Sequence, residues 1–496
     1  MLSMVESTRI ARAERMRWST ASELLRLVNA EPGITRAAAA ERLALSSGAA
    51  TELIDRLRAA RLVSEERAQR RGPGRPTTVL LPHPEGPLVV AVDLSVGGWR
   101  VVLGELGGDA IELAAGEYGA RPSSGAGEPS EARRAAPAAR PADGAHDGAS
   151  DAANAERAAS GEGEPGARTA PGPADADPPA PIRRRRGGAG DDRRAPARPS
   201  ARGAESGGIP RPPSASFLPE VARAVADAVR RGDGRARTVA ASVAGAVSGE
   251  TLLFFPTEGW GEIDLRSLLA GLPGGADVVF AVGNDAALAG LAEARSGAAR
   301  GIGVALHVTI TVGIGGSLVV DGRPMTGTRG AGGEYGHLPM GDPSLECPCG
   351  ARGCWGLTVD GRALARHRGD EPPARPYAYG GRLLERVRLG TASEIDLRAC
   401  AAAAGAFGAG LAGLVNLHDP GAVTVAGLAP ALRAAAPEAF DRAYRGGLMT
   451  IHRGSPPPVV DAAHGDDGPL RGALALGFDE ATRPEALARW HARLGG

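Results

Sequence analysis

The sequence predicts an α/β protein preceded by a small helical module. Within residues 18–82, short segments with one apolar face precede a hairpin pattern. Residues 88–120 and 214–496 instead alternate apolar strand-like runs with longer helical patterns. Between them, residues 121–213 contain no Leu, Val, Met or aromatic residue. A chain of 496 residues is long enough for two or three domains, and these three composition zones indicate where they divide.

The N-terminal module has the layout of a winged helix-turn-helix domain. A flexible N-terminus is expected at residues 1–17, followed by a first helix from Thr20 to Ala30. Thr35 and Ser46 are predicted N-caps of a second and a third helix. Apolar residues at one face of the third helix predict its buried stripe: Leu53, Ile54 and Leu57. Residues 61–81 then read as a two-stranded wing, so the third helix is predicted to face a DNA major groove.

The candidate DNA contacts lie on this third helix and in the wing. The groove-facing candidates on the helix are only small groups, at Ser46, Ser47, Gly48 and Thr51, with no Arg or Asn among them for a bidentate base contact. The wing supplies the positive charge, through Arg67, Arg70, Arg71 and Arg75. A Gly-Arg-Pro sequence held extended by proline can place an arginine in a narrow A·T minor groove. The alternatives are a solvated basic linker and a winged helix that binds protein.

Residues 121–213 are predicted to be a disordered insertion. Only Ile182 and Ile209 carry branched aliphatic side chains there. The segment cannot bury enough apolar surface to offset the entropy lost on ordering. Arginines at 183–186 and 193–194 could contact nucleic acid. We favour the interpretation of a solvated low-complexity insertion without a dedicated role.

Charge and apolar patterning indicate a cytoplasmic protein. The formal net charge is zero, so the whole chain predicts neither a nucleic-acid nor a membrane partner. No apolar run of about 18 residues and no N-terminal signal segment is expected, which excludes a membrane partner. Three of the four cysteines fall within eight residues and only Cys400 lies apart, as expected for metal ligands in a reducing cytoplasm.

A candidate zinc site lies between residues 332 and 356. His337, Cys347, Cys349 and Cys354 form the pattern H-x9-C-x-C-x4-C, and a Cys3His set is typical of a tetrahedral structural Zn2+ site. Gly350 and Gly353 allow the tight turns that convergence of three sulfurs requires. A redox dithiol or unrelated core cysteines are the alternatives. Zinc is favoured because four ligands at short spacing are present.

The same stretch resembles the signature of a known family. Its run G-G-E-x-G-H, followed by C-x-C-G-x-x-G-C, closely resembles that of the ROK family of repressors, open-reading-frame proteins and sugar kinases. The resemblance implies a two-lobed actin-like ATPase (ribonuclease H-like) domain in residues 88–120 and 214–496. It also implies that Glu334 and His337 contact a sugar. Since ROK repressors carry a winged helix ending in a similar G-R-P, it favours DNA binding by residues 18–82.

Further matches carry the resemblance into the rest of the domain. Asn284 and Asp285 match the N-D-A motif, which implies a sugar contact for both and a general-base role for Asp285 in a kinase. An N-cap for the helix that follows is the alternative role of Asp285. The positions that match the family's nucleotide and phosphate contacts are Asp93, Gly313, Gly315 and Gly427.

Four departures weigh against a kinase that uses ATP and Mg2+ as cofactors. Val96 and Gly97 stand in the turn where the family's kinases have a Gly-Gly-Thr sequence, so the close backbone approach to phosphate is obstructed and a hydroxyl is missing. Thr257 lies near the position of a usual sugar-binding Asn. Gly356 replaces a Glu that in the family binds the sugar.

The expected function is therefore regulatory. We expect a DNA-binding transcriptional regulator, of the repressor type, that binds operator DNA as a homodimer or tetramer and senses a sugar or sugar phosphate. Closure of the two lobes or a change in dimer geometry is the expected link between the two ligands. One alternative is an ATP-dependent hexose kinase that retains a DNA-binding domain. The other is a regulator that has lost sugar binding.

Overall fold

The computed structural model describes residues 18–67, 78–118, 217–254, 262–274 and 277–495. Several predicted features lie outside these ranges. They are the N-terminus 1–17, the insertion 121–213, the wing residues Arg70, Arg71 and Arg75, and Thr257. The structure therefore bears on the helical module up to the wing and on the large α/β domain.

The N-terminal module has three helices and a three-stranded sheet. Its helices are α1 (residues 18–30), α2 (Arg36–Arg42) and α3 (Ser47–Ala59). Its strands are β1 (Ile34–Thr35), β2 (Val63–Arg67) and β3 (Thr78–Pro82), in the order β1-β3-β2 and all antiparallel. The two-stranded wing is present as β2 and β3, and β1 adds a short third strand.

The predicted caps and buried stripe of the module are confirmed. The Thr35 hydroxyl accepts a hydrogen bond from the Ala38 amide, and the Ser46 hydroxyl accepts one from the Ala49 amide. Leu53, Ile54 and Leu57 are all buried. Both helices begin where the sequence indicates because each cap satisfies a backbone donor in the first turn.

The first lobe of the α/β domain is built on a five-stranded sheet. Its strand order is β11-β7-β4-β5-β6. The strands are β4 (Leu88–Ser95), β5 (Gly98–Glu105), β6 (Ala110–Glu117), β7 (Ala236–Val243) and β11 (Val279–Asn284). A small side sheet contains β8 (Ala246–Ser248), β9 (Thr251–Phe254) and β10 (Ile263–Asp264).

The second lobe repeats this topology. Its sheet has the order β14-β13-β12-β15-β16, with β12–β13 and β13–β14 antiparallel and the other pairs parallel. The strands are β12 (Val304–Thr311), β13 (Gly313–Val320), β14 (Arg323–Pro324), β15 (Ala422–Gly427) and β16 (Val459–Asp461). Numbered within each lobe, both sheets read 3-2-1-4-5. This duplication confirms the predicted actin-like fold.

Ten helices of the described residues complete the domain. They are α4 (Leu218–Arg231), α5 (Asp285–Ser296), α6 (Gly361–Arg368), α7 (Pro376–Arg388), α8 (Glu394–His418), α9 (Ala429–Ala435), α10 (Pro437–Gly447), α11 (Thr450–Arg453), α12 (Gly468–Ala481) and α13 (Pro484–Leu494). Two of them lie centrally: α5 contacts β12 and β13 of the second lobe and also packs on α12, which lies against β4 and β7 of the first lobe.

The expectation that no apolar run of about 18 residues exists is wrong. Helix α8 is 25 residues long and apolar enough in length and composition to cross a membrane. In the fold, 56% of its most apolar window is buried, and Phe407, Leu411 and Val415 belong to the second-lobe core. Its composition reflects a helix enclosed by α10, α6 and α9. Cys400, predicted to be a core residue, is fully buried on this helix.

The helical module shares a core with the first lobe. One apolar cluster joins Leu24, Ile54 and Leu57 to Val89 of the first sheet and Phe478 of α12. The C-terminal helix α13 contributes Leu487 and Trp490 to this cluster, and the Trp490 indole N–H donates to the Ala60 carbonyl at 2.8 Å. The C-terminal helix therefore packs on the helical module as well as on the first lobe.

Candidate metal centre and ligand cleft

The four predicted zinc ligands come together in one cluster. The ligand atoms of His337, Cys347, Cys349 and Cys354 all lie within 4.8 Å of one another. The His337 Nδ1 is 3.7 Å from the Cys347 Sγ, and the sulfurs of Cys349 and Cys354 are also 3.7 Å apart. In a tetrahedral site with Zn–S bonds of about 2.3 Å, two sulfurs are about 3.8 Å apart. The cluster therefore fits Zn2+.

Tight turns position these ligands. Gly350 and Gly353 have φ angles of 92° and 68°, which non-glycine residues rarely adopt. The Gly350 amide donates to the Cys347 carbonyl, and the Cys347 amide donates to the Ala351 carbonyl. A bridge between Glu346 and Arg352 closes the base of the loop. The two glycines thus reverse the chain twice within eight residues and bring the three sulfurs together.

His337 joins the metal cluster to a carboxylate. Its Nδ1 faces Cys347, whereas its Nε2 lies 3.7 Å from the Glu334 Oε2. Burial raises the pKa of Glu334 above its usual value, and the neighbouring imidazole acts in the opposite direction. The two residues with an expected sugar contact are therefore adjacent to each other and to the metal ligands.

Asn284 and Asp285 lie where β11 ends and α5 begins. The N-cap of α5 is Asn284, whose Oδ1 accepts a hydrogen bond from the Ala287 amide at 3.0 Å. The suggestion that Asp285 is the cap is therefore wrong by one residue. Asp285 is the first residue of the helix, and its Oδ1 accepts from the Ala286 amide at 2.8 Å and from the Asn284 amide group at 3.0 Å.

The Asp285 carboxyl is surrounded by protein although the residue as a whole keeps some exposure. Burial raises its pKa to about 7, and the Ala286 amide offsets part of this rise. The charges of Asp93 and Glu334 raise the pKa further. Carboxyl groups from both lobes are therefore close enough for their charges to interact, and we call the region around Asp93, Asp285 and Glu334 the cleft. A group with a pKa near neutrality can accept a proton from a bound hydroxyl or donate one to it.

Sequence reasoning missed Arg100, which neutralises the predicted nucleotide contact Asp93. Asp93 is buried, and the Arg100 Nη2 lies 3.3 Å from its Oδ2. The Arg100 Nη1 also lies 2.7 Å from the Asp467 Oδ1 at the start of α12. The signal was available, because a hairpin turning at residues 96–97 places Arg100 opposite Asp93. Burial nevertheless keeps the pKa of Asp93 above its usual value.

Each of the three predicted phosphate-contacting glycines has a structural reason for being glycine. Gly427 has a φ of 65°, and a Cβ there would lie 2.2 Å from the Ile310 carbonyl oxygen. A Cβ on Gly315 would lie 2.9 Å from the Ala286 Cβ, so β13 passes directly over the first turn of α5. Gly313 has a φ of 98°. Packing therefore favours glycine at 315 and 427, and the positive φ favours it at 313, whether or not a phosphate binds.

Gly356, the departure from the family pattern, also has a packing reason. A Cβ there would lie 3.2 Å from the Ile314 nitrogen and 3.3 Å from the Gly336 oxygen. Beside it is a small cavity of about 70 Å3, which His337 and Arg362 also line. Arg362, a second residue that sequence reasoning missed, pairs with the fully buried Asp360 through an Nη2–Oδ2 contact of 2.6 Å.

The helical module presents few groups to DNA in its described part. Ser47 and Thr51 are exposed at the start of α3, whereas the Ser46 hydroxyl is engaged as the cap. The Thr51 hydroxyl donates to the Ser47 carbonyl at 2.9 Å. Residues 18–67 contain seven arginines and seven acidic residues, so their formal charge is zero. The positive charge of the module therefore depends on residues 68–77.

Curated relatives include both kinases and repressors. The chain is 30% identical over 193 residues to a glucokinase of Streptomyces coelicolor, a match that covers 36% of this chain and 59% of that protein. It is 31% identical over 218 residues to a kanosamine kinase of Amycolatopsis mediterranei, covering 44% of this chain and 68% of that protein. A xylose repressor of Bacillus subtilis is 30% identical over 117 residues, covering 24% of this chain and 30% of the repressor.

A solved structure and a family model extend these likenesses. The structure of a ROK family transcriptional regulator, a homologue of the E. coli MLC protein, matches 97% of this chain and 100% of its own. The TM-score is 0.62 at 17% identity, a likeness of fold that includes the N-terminal helical module. The ROK family model matches residues 209–480, more than half of the chain. The chain belongs to the ROK family.

Proposed function

We propose that this protein is a DNA-binding transcriptional regulator, of the repressor type, whose ROK domain senses a sugar or a sugar derivative. The observation that carries the proposal is the combination of two sites in one packed unit. Asn284, Asp285, Glu334 and His337 border one cleft, and the domain that holds them shares a core with a winged helix-turn-helix module. A xylose repressor is among the relatives, which supports a sugar as the ligand.

A hexose kinase is the second candidate function. Asp285 favours it, because a carboxyl with a pKa of about 7 can serve as general base toward a sugar hydroxyl. The ion pair between Asp93 and Arg100 weighs against it. A divalent cation held at Asp93 would have to compete with a guanidinium already in place. Val96 packs against the first-lobe core at the turn where phosphate would approach.

Zn2+ would be held by His337, Cys347, Cys349 and Cys354. A bound metal supplies a fixed anchor for the imidazole, as structural zinc sites do. Because the Nδ1 faces the cysteines, the Nε2 stays directed at Glu334 and the cleft. The metal loop would therefore orient one side of the sugar site. We also propose a cytoplasmic homodimer or tetramer, since a two-fold assembly suits a two-fold operator.

A direct route connects the cleft with the DNA-binding module. Helix α5 begins at Asp285 in the cleft, and near its other end the Arg295 Nη2 lies 2.8 Å from the Asp479 Oδ2 on α12. The Asp479 Oδ1 is 4.0 Å from the Arg26 Nε on α1. Asp479 thus lies between an arginine of α5, which begins in the cleft, and an arginine of α1 in the helical module. A ligand that shifts α5 against α12 would alter this contact, which is the differential interaction that coupling requires.

The first test measures both ligands on the same protein. Zinc-loaded protein is titrated calorimetrically with hexoses, amino sugars and their phosphates, and genomic DNA fragments are captured with and without each ligand. We expect one sugar class to bind, Glu334→Ala to weaken that binding, and the ligand to change operator affinity. A ligand that binds without altering operator affinity would contradict the regulatory proposal. Phosphorylation of the sugar in the presence of ATP would establish the kinase instead.

A further inference from the structure

The outward face of α3 carries acidic side chains, an unusual charge for a helix that enters a DNA groove. The buried face consists of Ala50, Leu53, Ile54 and Leu57. At 100° per residue, the opposite face is centred on Gly48, Glu52, Asp55 and Ala59, all of which are exposed. Since phosphates repel carboxylates, these acids weaken DNA binding unless one of them makes a base contact that offsets the repulsion.

Glu52 is the acid best placed to reach a base. It lies one turn inside the N-terminus of α3, and recognition helices contact base edges through their N-terminal residues. The preceding position on the same face, Gly48, has no side chain, and the space around it is open. The Glu52 side chain is 76% exposed. Asp55 lies further along the helix and is near Arg58, at 3.4 Å, and Arg36, at 3.9 Å.

The neighbouring polar groups are engaged within the helix. The Ser46 hydroxyl caps it, and the Thr51 hydroxyl donates to the Ser47 carbonyl. Glu52 instead pairs with a second side chain that can read DNA, the Arg56 guanidinium, whose Nη2 lies 2.9 Å from the Glu52 Oε1. Glu52 and Arg56 are four residues apart and therefore adjacent on the helix surface, so the Arg56 guanidinium can hold the Glu52 carboxylate in position.

The chemistry of this pair selects a particular base. A carboxylate accepts a hydrogen bond from the N4 amino group of cytosine, and no other base offers a comparable donor without an adjoining acceptor in the major groove. Resting on the proposed DNA-binding function, we propose that Glu52 determines operator specificity by accepting from a cytosine N4 in each half-site. Arg56 holds the carboxylate in place and offsets its charge against the phosphates.

The test is selection of duplexes from a randomised library by the full-length protein and three variants. Wild-type protein should enrich cytosine at one position of each half-site. Glu52→Gln should shift that position to adenine, because glutamine pairs with adenine N6 and N7, whereas Glu52→Ala should lose the preference there. We expect the change at that position to be about tenfold in relative affinity, the range of one base contact. Glu23→Gln, an equal charge change on the exposed side of α1, should leave the motif unchanged.

Two results would overturn the inference. If Glu52→Gln binds DNA and selects the wild-type motif, Glu52 reads no base, and only the specificity assignment fails. If the wild-type protein selects no sequence at all, the DNA-binding function fails and the assignment fails with it. Because Glu52 is highly exposed, the variants should fold, and thermal melts that coincide with wild type verify this.

Discussion

At the scale of single residues, Asp285 shows how a helix end and burial act in opposite directions on one carboxyl group. As the first residue of α5 its carboxylate would favour the positive end of the helix dipole, yet burial dominates and raises its pKa to about 7. The desolvation of the carboxyl therefore outweighs the backbone hydrogen bond from Ala286. The cleft holds an acid that changes charge near neutral pH.

Asp285→Asn should change the pH dependence of stability. Because the folded pKa of about 7 lies above the ordinary value of 3.8, the stabilising contribution of the protonated form is complete below about pH 4 and is lost as pH rises through about 7. The variant cannot ionise and keeps an acceptor for the Ala286 amide. We expect it to melt at a higher temperature than wild type at pH 8 and to match it at pH 4.

Thermal melts at both pH values measure this effect. The control is Asp227→Asn, at an exposed residue on α4 that pairs with Arg230. Its melting temperature should not rise above that of wild type at pH 8 while matching it at pH 4. An equal difference at pH 4 and pH 8 for Asp285→Asn would contradict the raised pKa.

The metal cluster makes a second prediction at this scale. Wild-type protein purified with zinc should contain one Zn2+ per chain by atomic absorption. Cys349→Ser should lose the metal and melt several degrees lower, because structural zinc stabilises the fold that holds it. Cys400→Ala is the matched control, since Cys400 is buried on α8 away from the cluster and its removal should leave the zinc content at one. Full zinc content in Cys349→Ser would show that this sulfur is not a ligand.

At the scale of elements, helix α8 shows that an apolar composition must be interpreted together with the packing of the helix. The 25-residue α8 has the hydropathy of a membrane span, but it lies in the second-lobe core. It begins with a capping box, in which the Ser393 and Asp396 side chains each accept a hydrogen bond from the other residue's backbone amide. The apolar composition of α8 thus follows from burial on several sides.

DNA affinity should depend on the wing. The described part of the helical module, residues 18–67, carries no net charge, whereas Arg70, Arg71 and Arg75 add three positive charges. Replacing all three with alanine should weaken binding to every sequence. It should also reduce the slope of log K against log salt, by up to about 0.9 for each phosphate that the variant no longer neutralises.

Fluorescence anisotropy across a salt series measures this slope. Arg42→Ala is the control, because Arg42 lies on α2 and pairs with Glu31 at 3.2 Å. If the triple variant keeps the wild-type slope, the wing is a solvated linker and the positive charge for DNA binding lies elsewhere.

At the scale of the whole molecule, the winged helix-turn-helix module and the residues proposed to bind a sugar belong to one packed unit. Helices α5 and α12 pass from the cleft toward the module, and the shared core removes the freedom of a flexible tether. Movement of the lobes would therefore be transmitted through contacts such as the one between Arg26, Asp479 and Arg295.

Asp479→Asn should separate the two activities. We expect sugar affinity and ligand-free operator affinity to stay within about twofold of wild type. The effect of sugar on operator affinity, which is typically about 5- to 150-fold in coupled systems, should fall to within about twofold. Calorimetry and DNA-binding anisotropy on the same preparations give all three quantities.

The neighbouring variant Glu480→Gln provides the comparison. Glu480 pairs with Arg483 near the end of α12 and makes no ion pair with the helical module among the described residues. It should retain wild-type coupling. Unchanged coupling in Asp479→Asn would show that the transmission runs through the shared apolar core or the metal loop.

The sequence by itself determined the features that depend on near neighbours. The caps Thr35 and Ser46, the apolar stripe of α3 and the four clustered metal ligands all follow from residues within about twenty positions of one another. These features can be recognised from sequence alone because they depend on local hydrogen bonds and on the periodicity of side chains. The resemblance of the G-E-x-G-H and cysteine motifs to the ROK signature then indicated the family and its fold.

Only the tertiary structure decided which distant groups meet. Asp479 contacts Arg26 across more than four hundred residues, Gly356 is confined by the backbone of Ile314 and Gly336, and α8 is enclosed by its neighbours. The physical reason is that these contacts arise from the packing of whole lobes. The free energy of that packing is shared among many weak contacts, so no short stretch of sequence encodes any one of them.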